Sequence, residues 1–253
     1  MATRELEALV VGSIEYGESD RIVRLLTREG RISAFAHGAK RSTRRFGGAL
    51  EPFSTVRVEL DSRRDGLSTL SSALVVRPRL ALTSELDRLA LASYVVELAL
   101  LMTPEAAPST EVFEHVESAL ETLMSRPASI TFRVAYELML LSAVGYRPEL
   151  KRCARCDAEL SENPWVDLLE GGALCELHRR GRKIGPKTIA WMRAVLDAEI
   201  SDPTAGLDAA WANTAAERAL PILTAARRTL LSAMPKSEGL LETVGLDGRR
   251  TTR

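Results

Sequence analysis

Thr55-Val56-Arg57-Val58-Glu59-Leu60 alternates without a fault: Val56, Val58 and Leu60 fall on one side, Thr55, Arg57 and Glu59 on the other. Such a period of two belongs to a strand with one face in a core and one in water. Working outward, Glu7 to Ile14, Arg21 to Thr27 and Arg31 to His37 are short apolar-rich runs punctuated by Gly17 and Gly30. Leu67 to Val76 follows Arg64-Asp65-Gly66, a sequence that favours a turn. Five strands within residues 1–77 suit a small barrel. The five-stranded OB-fold is the commonest candidate, and an SH3-like barrel meets the same pattern. Strand spacing alone does not choose between them.

The connection between the third and fourth strands is the most basic stretch of the chain. Lys40, Arg41, Arg44 and Arg45 occur within six residues, and no acid lies between Arg31 and Leu50. Gly38, Gly47 and Gly48 predict flexibility, and Phe46 adjoins the charges. Cations on a mobile loop can track phosphates, while a neighbouring ring can stack on an exposed base. Lys40, Arg41, Arg44 and Arg45 are the first candidates for nucleic-acid contact, Arg31 the second, and Phe46 the candidate stacking residue. The competing reading has Phe46 packed back onto the barrel.

After Pro78 the period lengthens to that of helices. Leu82, Leu86, Leu89, Ala90 and Ser93 recur at three and four residues, with Ser84 as the predicted cap and Asp87 three residues on. Pro104 to Pro108 interrupts the run, and a second helix from Thr110 carries Val112, Phe113, Val116, Leu120 and Leu123. A third spans Ser129 to Val144 and ends at Gly145 with Pro148 beyond it. Pro186 to Ile200 and Thr214 to Met234 read as helices again. The expected divisions are a helical bundle at 78–150, a metal-binding segment at 151–182, helices completing the bundle at 183–235, and a poorly ordered tail at 236–253.

All three cysteines belong to one constellation. Cys153 and Cys156 are separated by two residues, eighteen residues intervene, and Cys175 and His178 repeat the gap. Two such half-sites complete the tetrahedron that a structural Zn²⁺ takes with sulfur and imidazole. Four protein ligands leave no open position, so the ion would hold a fold rather than do chemistry. A redox pair fits less well, because its usual place is the start of a helix after a strand. Arg179, Arg180, Arg182, Lys183 and Lys187 form a second basic cluster just beyond, either a solvated surface or another nucleic-acid contact.

Composition narrows the function classes. The net charge is zero, but residues 1–77 carry 13 basic and 10 acidic side chains, residues 78–150 carry 5 and 10, and residues 151–187 carry 8 and 6. A mildly basic, then acidic, then basic chain suggests one face for a polyanion rather than binding by bulk charge. No run of eighteen apolar residues exists, the first residues lack a signal peptide's apolar stretch, and the thiols suit metal more than disulfides, so a cytoplasmic location without membrane contact is expected. Neither a phosphate-binding Gly-Lys-Ser/Thr loop nor a Gly-x-Ser-x-Gly elbow is present, which favours a binding protein over an enzyme. His115-Val116-Glu117 followed by Cys153-x-x-Cys156 mimics a zinc deaminase. Against that, Arg152 stands where the pattern needs proline, and Cys175 and His178 would go unexplained. The simpler reading puts His115 and Glu117 on the solvated side of the second helix.

A resemblance joins these parts. Tyr16-Gly17-Glu18-Ser19-Asp20, Leu26-Thr27, Gly30-Arg31, Gly38-Ala39-Lys40-Arg41-Ser42 and Arg45-Phe46-Gly47-Gly48-Ala49-Leu50-Glu51-Pro52-Phe53 resemble the N-terminal signature of the RecO family of bacterial DNA repair proteins. Leu89-Ala90-Leu91-Ala92-Ser93-Tyr94 resembles its first bundle helix, and Gly145-Tyr146-x-Pro148-Glu149-Leu150 its approach to the zinc segment. The likeness runs to about residue 180; His178 departs from it, standing where the family usually has a fourth cysteine. The resemblance implies an α+β protein, an N-terminal five-stranded OB-fold barrel followed by an α-helical bundle with an embedded zinc finger at Cys153, Cys156, Cys175 and His178. It further implies a nucleoid-associated recombination mediator that binds single- and double-stranded DNA and anneals complementary strands. Its partners would be RecR, the C-terminal tail of the single-strand binding protein SSB and, indirectly, RecA. An OB-fold RNA-binding factor is the alternative, since a basic barrel loop does not distinguish 2′-hydroxyls.

Overall fold

The computed structural model describes residues 3–61, 67–104, 107–198 and 211–248. Five strands, β1 (Thr3–Tyr16), β2 (Asp20–Thr27), β3 (Gly30–Ala36), β4 (Thr55–Asp61) and β5 (Ser68–Arg77), close into a barrel in the order β1-β2-β3-β5-β4. Neighbours are antiparallel except β3 and β5, which meet in parallel through Ala34↔Ser68 and Phe35↔Thr69. That arrangement is the OB-fold, which removes the SH3-like alternative. β1 serves two neighbours, pairing with β4 from Thr3 to Leu9 and with β2 from Ala8 to Tyr16. A register shift between Val10 and Gly12 bends it from one to the other. The predicted turn at Arg64-Asp65-Gly66 lies outside the described residues.

Val56, Val58 and Leu60 fill the barrel interior with Ala8, Val10, Val23, Leu25 and Leu70, as the alternation requires. Thr55 departs from it: placed with the solvent face, it is fully buried. The outer side of β4 is covered at that end by the bundle, whose Glu117 accepts the Thr55 hydroxyl at 2.7 Å. The segment after β3 is also no free loop. It holds a one-turn helix, α1 (Thr43–Phe46), and Phe46, Ala49 and Leu50 are buried among the barrel's core residues.

The remaining helices are α2 (Leu86–Met102), α3 (Thr110–Ser125), α4 (Ile130–Ala143), α5 (Pro186–Asp197), α6 (Ala212–Leu230) and α7 (Glu238–Thr243). Ser84 does not cap α2. Leu82 is fully buried, and seating it takes a separate 3₁₀ turn at Leu80–Thr83, where the Ser84 hydroxyl donates to the Ala81 carbonyl. The predicted end of the next-to-last long helix at Ile200 lies outside the described residues. One apolar core spans α2, α3 and one side of α4, and takes in Leu9, Leu26 and Phe53 of the barrel. A second joins the other side of α4 to α5, α6 and the metal-binding segment. Every residue of α4 from Ile130 to Leu141 is buried, because the helix is shared between both cores.

The expectation of a poorly ordered tail at 236–253 is corrected for residues 236–248; the rest lies outside the described residues. α7 lies within it, with Leu241 fully buried and Leu246 nearly so. Glu97 accepts backbone N–H groups from Lys236 and Ser237 and the Ser237 hydroxyl, while Arg133 donates to the Leu246 carbonyl at 2.7 Å. Leu240, Leu241, Val244 and Leu246 are too short a run among polar residues and glycines to read as a long helix, and the groups that fix the segment, Glu97 and Arg133, are far away in the chain.

Candidate nucleic-acid interface and metal centre

The basic segment sits on the end of the barrel as a pinned cap. Asp20, at the start of β2, accepts the Gly38 N–H at 2.7 Å, and Lys40 N–H donates to the Ser19 carbonyl at 3.0 Å. The Gly38 N–H is the main reason that the Asp20 carboxyl lies below its usual range. Arg45 reaches back to the His37 carbonyl at 2.7 Å and the Ser42 hydroxyl at 3.0 Å. These bonds, with Phe46 plugged beneath, replace the predicted mobility with a fixed platform.

Four of the six candidate contacts share that platform. Arg41, Arg44 and Arg45 are exposed, and Lys40 lies beside them. Lys40 pairs with Glu15 at 2.9 Å, and Arg41 stands 3.9 Å from Glu18. Exposed pairs of this kind are worth about 0–1 kcal/mol, so an incoming phosphate displaces them at little cost. Arg44 meets no partner among the described residues. The other two candidates do not share that platform. Phe46 is 2% exposed, because the barrel's open end needs an apolar plug, and its ring is closed to bases. Arg31 is half-buried and donates to the Leu100 carbonyl at 3.0 Å, in the last turn of α2, so it ties barrel to bundle. Exposed rings do lie beside the cap, but they are Tyr16 and His37, with Phe35 between them. Their signal was the i, i+2 spacing of Phe35 and His37 on one strand face.

The metal-binding residues converge. Cys153, Cys156, Cys175 and His178 bring one ligand atom each to within 4.8 Å of all the others. Cys153 Sγ lies 3.6 Å from His178 Nδ1, Cys175 Sγ 3.4 Å from the same nitrogen, and the Cys156 and Cys175 sulfurs are 3.8 Å apart. A tetrahedron with bonds near 2.3 Å to sulfur and 2.0 Å to nitrogen needs about 3.8 Å between sulfurs and about 3.5 Å from sulfur to nitrogen. The donors therefore fit a tetrahedral metal ion. Burial alone pushes the Cys153 thiol up, but N–H groups of Cys175, Arg155 and Cys156 outweigh it and bring it down to about 5. Cys156 receives the Ala158 N–H, yet burial and the neighbouring sulfurs raise it. A cation among them removes that conflict.

Short elements hold the two half-sites. Asp157 takes a left-handed conformation and closes the first turn through its N–H to the Cys153 carbonyl. The second is a 3₁₀ turn at Glu176–His178, following strand β7 (Gly172–Leu174), which pairs with β6 (Trp165–Asp167). β6 also pairs with β8 (Arg182–Lys183). Gly172 has a positive φ, and a side-chain carbon there would overlap the Glu149 carbonyl, so the chain's approach to the first half-site runs directly over it. In the second basic cluster, Arg180 pairs with Glu170 at 2.6 Å and Lys183 with Glu176 at 2.9 Å, while Arg179, Arg182 and Lys187 are exposed.

Two acids of residues 78–150, Glu117 and Glu137, are buried, while Glu85, Glu111, Glu114, Glu121 and Glu149 are exposed. Glu117 is buried between Arg79 and Arg77 at 3.0 Å each, and Arg77 also reaches Glu7 at 2.9 Å. Glu137 of α4 takes Arg133, Arg227 and the Tyr94 hydroxyl, and burial followed by the Glu137 charge holds the Tyr94 phenol well above its usual range. His115 is fully buried, donating through Nε2 to the Tyr136 carbonyl and stacked on the Tyr136 ring at 4.7 Å. His115 and Glu117 are thus interior residues rather than solvated ones, and neither joins the sulfur cluster. The deaminase reading loses its histidine and its acid.

Comparison with known proteins adds an independent observation. Residues 1–79 match the family description "Recombination protein O N terminal", and residues 83–237 match "Recombination protein O C terminal". The second match extends well beyond residue 180. The protein named DNA repair protein RecO in Anaeromyxobacter dehalogenans is 44% identical over 178 residues, 69% of this chain and 70% of that relative. Its namesake in Myxococcus xanthus is 42% identical over 171 residues, 67% of this chain and 70% of the relative. In Pelobacter propionicus the identity is 37% over 198 residues, 78% and 80% of the two chains. Among the described residues, no helix is long and apolar enough to cross a membrane.

Proposed function

The chain belongs to the RecO family of DNA repair proteins, and from that premise we propose that it binds single- and double-stranded DNA through the barrel cap and anneals complementary strands without nucleotide hydrolysis. The observation that carries this reading is the cap: Lys40, Arg41, Arg44 and Arg45 on a fixed platform, opposed only by exposed carboxylates. Annealing requires two mutually repelling strands to be neutralised together, and cations held at phosphate level lower that repulsion while leaving base edges free. By family membership, the chain would act with RecR to help RecA replace SSB, whose tail it would contact, in the cytoplasm on nucleoid DNA. Nothing in the reading asks the protein to make or break a covalent bond.

The metal is proposed to be one structural Zn²⁺, held by Cys153, Cys156, Cys175 and His178. With four protein donors its contribution is to fold the segment, and imidazole in place of a fourth thiolate leaves one less negative charge. The decisive experiment is strand annealing on SSB-coated DNA, comparing the unaltered protein with an Arg44→Ala, Arg45→Ala variant. Annealing without nucleotide, impaired in the variant, supports the proposal. Strict dependence on ATP, or an unaffected variant, overturns it.

A further inference from the structure

Beside the cap, the outer face of the barrel carries an apolar patch left exposed among the described residues. The register sets Ile14 against Ile22 and Ile22 against Phe35, a row across three strands. Tyr16 stands two residues further along β1 on the same face, and His37 follows directly on the end of β3, two residues beyond Phe35. The alternate residues Val23, Ala34 and Ala36 are fully buried, so this row points outward. Ile14 is 55% and Tyr16 56% exposed. The rings of Tyr16 and Phe35 meet edge-on at 5.2 Å, and those of Phe35 and His37 lie 4.3 Å apart at a tilt.

The border of the patch is cationic. Arg45 is bonded to the His37 carbonyl, Lys40 pairs with Glu15 next to Tyr16, and Arg24 extends over Gly12, where a side-chain carbon would lie 3.0 Å from its Nη2. Three acids lie at this edge and each has a partner: Lys40 pairs with Glu15, Arg41 stands 3.9 Å from Glu18, and Gly38 N–H and the Ser19 hydroxyl hold Asp20, which also stands 3.8 Å from His37 Nδ1. Exposed rings surrounded by cations match a partner that presents flat apolar faces and negative charge together. A single strand of nucleic acid does so, whereas a duplex hides its base faces.

We propose that Tyr16, Phe35 and His37 form a stacking platform for the bases of a single strand whose phosphates lie on the cap cations. This rests on the reading of the cap as a DNA contact and assigns it a second, uncharged component. Stacking occupies base faces and leaves the pairing edges toward solvent, so a strand held this way stays open to its complement. It also replaces Phe46 as the aromatic partner of the basic segment.

The test compares two probes of equal length and charge, a thymidine oligonucleotide and an abasic one, on the full chain. The unaltered protein should bind the thymidine strand at least tenfold more tightly. Tyr16→Ala and His37→Ala should each lower that affinity about tenfold and leave the abasic strand and the salt slope unchanged. Tyr16→Phe should retain the preference, which separates stacking from a misfolded barrel. Equal binding of both probes by the unaltered protein overturns the platform alone and spares the cap. Failure to bind either probe overturns the DNA reading and the platform with it. If Tyr16→Ala and His37→Ala change the sedimentation of the protein instead, the patch is an interface between copies and the proposal falls.

Discussion

The barrel cap and the metal-binding segment are both short and rich in lysine and arginine, and neither has the apolar mass to fold alone. The cap is held by a plug: Phe46, Ala49 and Leu50 enter the barrel core, and its cations face water. The metal-binding segment has only Cys153, Leu174 and Cys175 in its own buried cluster, and it supplies carboxylates for its own cations, Glu170 for Arg155 and Arg180 and Glu176 for Lys183. Basic residues close together in a sequence therefore say little until their counter-charges are located. The cap draws its two carboxylates, both exposed, from the end of β1 and the turn after it, and gives Arg44 none among the described residues.

The sharpest way to break this comparison is to remove the metal. Strong chelation should unfold residues 150–183 and leave the barrel intact, since structural zinc supplies ~10 kcal/mol or more of folding free energy. Metal analysis should find one zinc per chain, and limited proteolysis should then cut only in that segment; a metal-free protein that resists cleavage there would end the idea. Phe46→Ala is the matching lesion in the cap. Loss of a buried ring costs about 3–5 kcal/mol, read by denaturant unfolding. A cost near zero would mean that the plug does not hold the cap.

The C-terminal segment gives the comparison a third case, held by a carboxylate. Burial alone would raise Glu97, but the Ser237 hydroxyl and the N–H groups of Ser237 and Lys236 outweigh it and leave its carboxyl below the ordinary 4.5. A lowered folded value means that its contribution is complete above the unfolded value and is lost as pH falls through the folded one. Glu97→Gln should therefore cost about 1–2 kcal/mol near neutrality and little in acid. Hydrogen exchange of the Ser237 to Leu241 amides reads the difference, and a cost that stays constant with pH refutes it. The smallest effect on stability belongs to Arg44→Ala, within about 0.5 kcal/mol, whereas adding Arg45→Ala also gives up the bonds to the His37 carbonyl and the Ser42 hydroxyl. The same pair should flatten the salt dependence of single-strand binding by roughly 1.4, at about 0.7 per lost phosphate contact. An unchanged slope moves the DNA site away from the cap.

What the amino-acid order disclosed follows from how local each signal is. Alternation at 55–60 revealed a barrel strand because period two needs only neighbours, and Cys-x-x-Cys revealed half of a metal site for the same reason. Thr55 was misplaced because the carboxylate that buries it is 62 positions away. Phe46 was misread because the direction of a ring beside four cations depends on whether the barrel's end is open. Glu117 and Glu137, counted in the acidic surplus of residues 78–150, are taken up by arginines of distant segments. Of the exposed rings, His37 sat in an expected strand and Tyr16 two residues past the expected end of another, and both were passed over in favour of the charges.

Twelve successive residues of α4 are out of water, including Arg133 and Glu137. A helix enclosed on every side cannot be assigned to one half of the molecule. Any fragment that keeps it without α6 leaves Glu137 facing a hole where Arg227 stood, and any fragment that omits it strips a wall from each interior. Dissection of this protein into separately expressed pieces should therefore respect α4 as a keel, with the barrel the one portion whose own strands close on themselves.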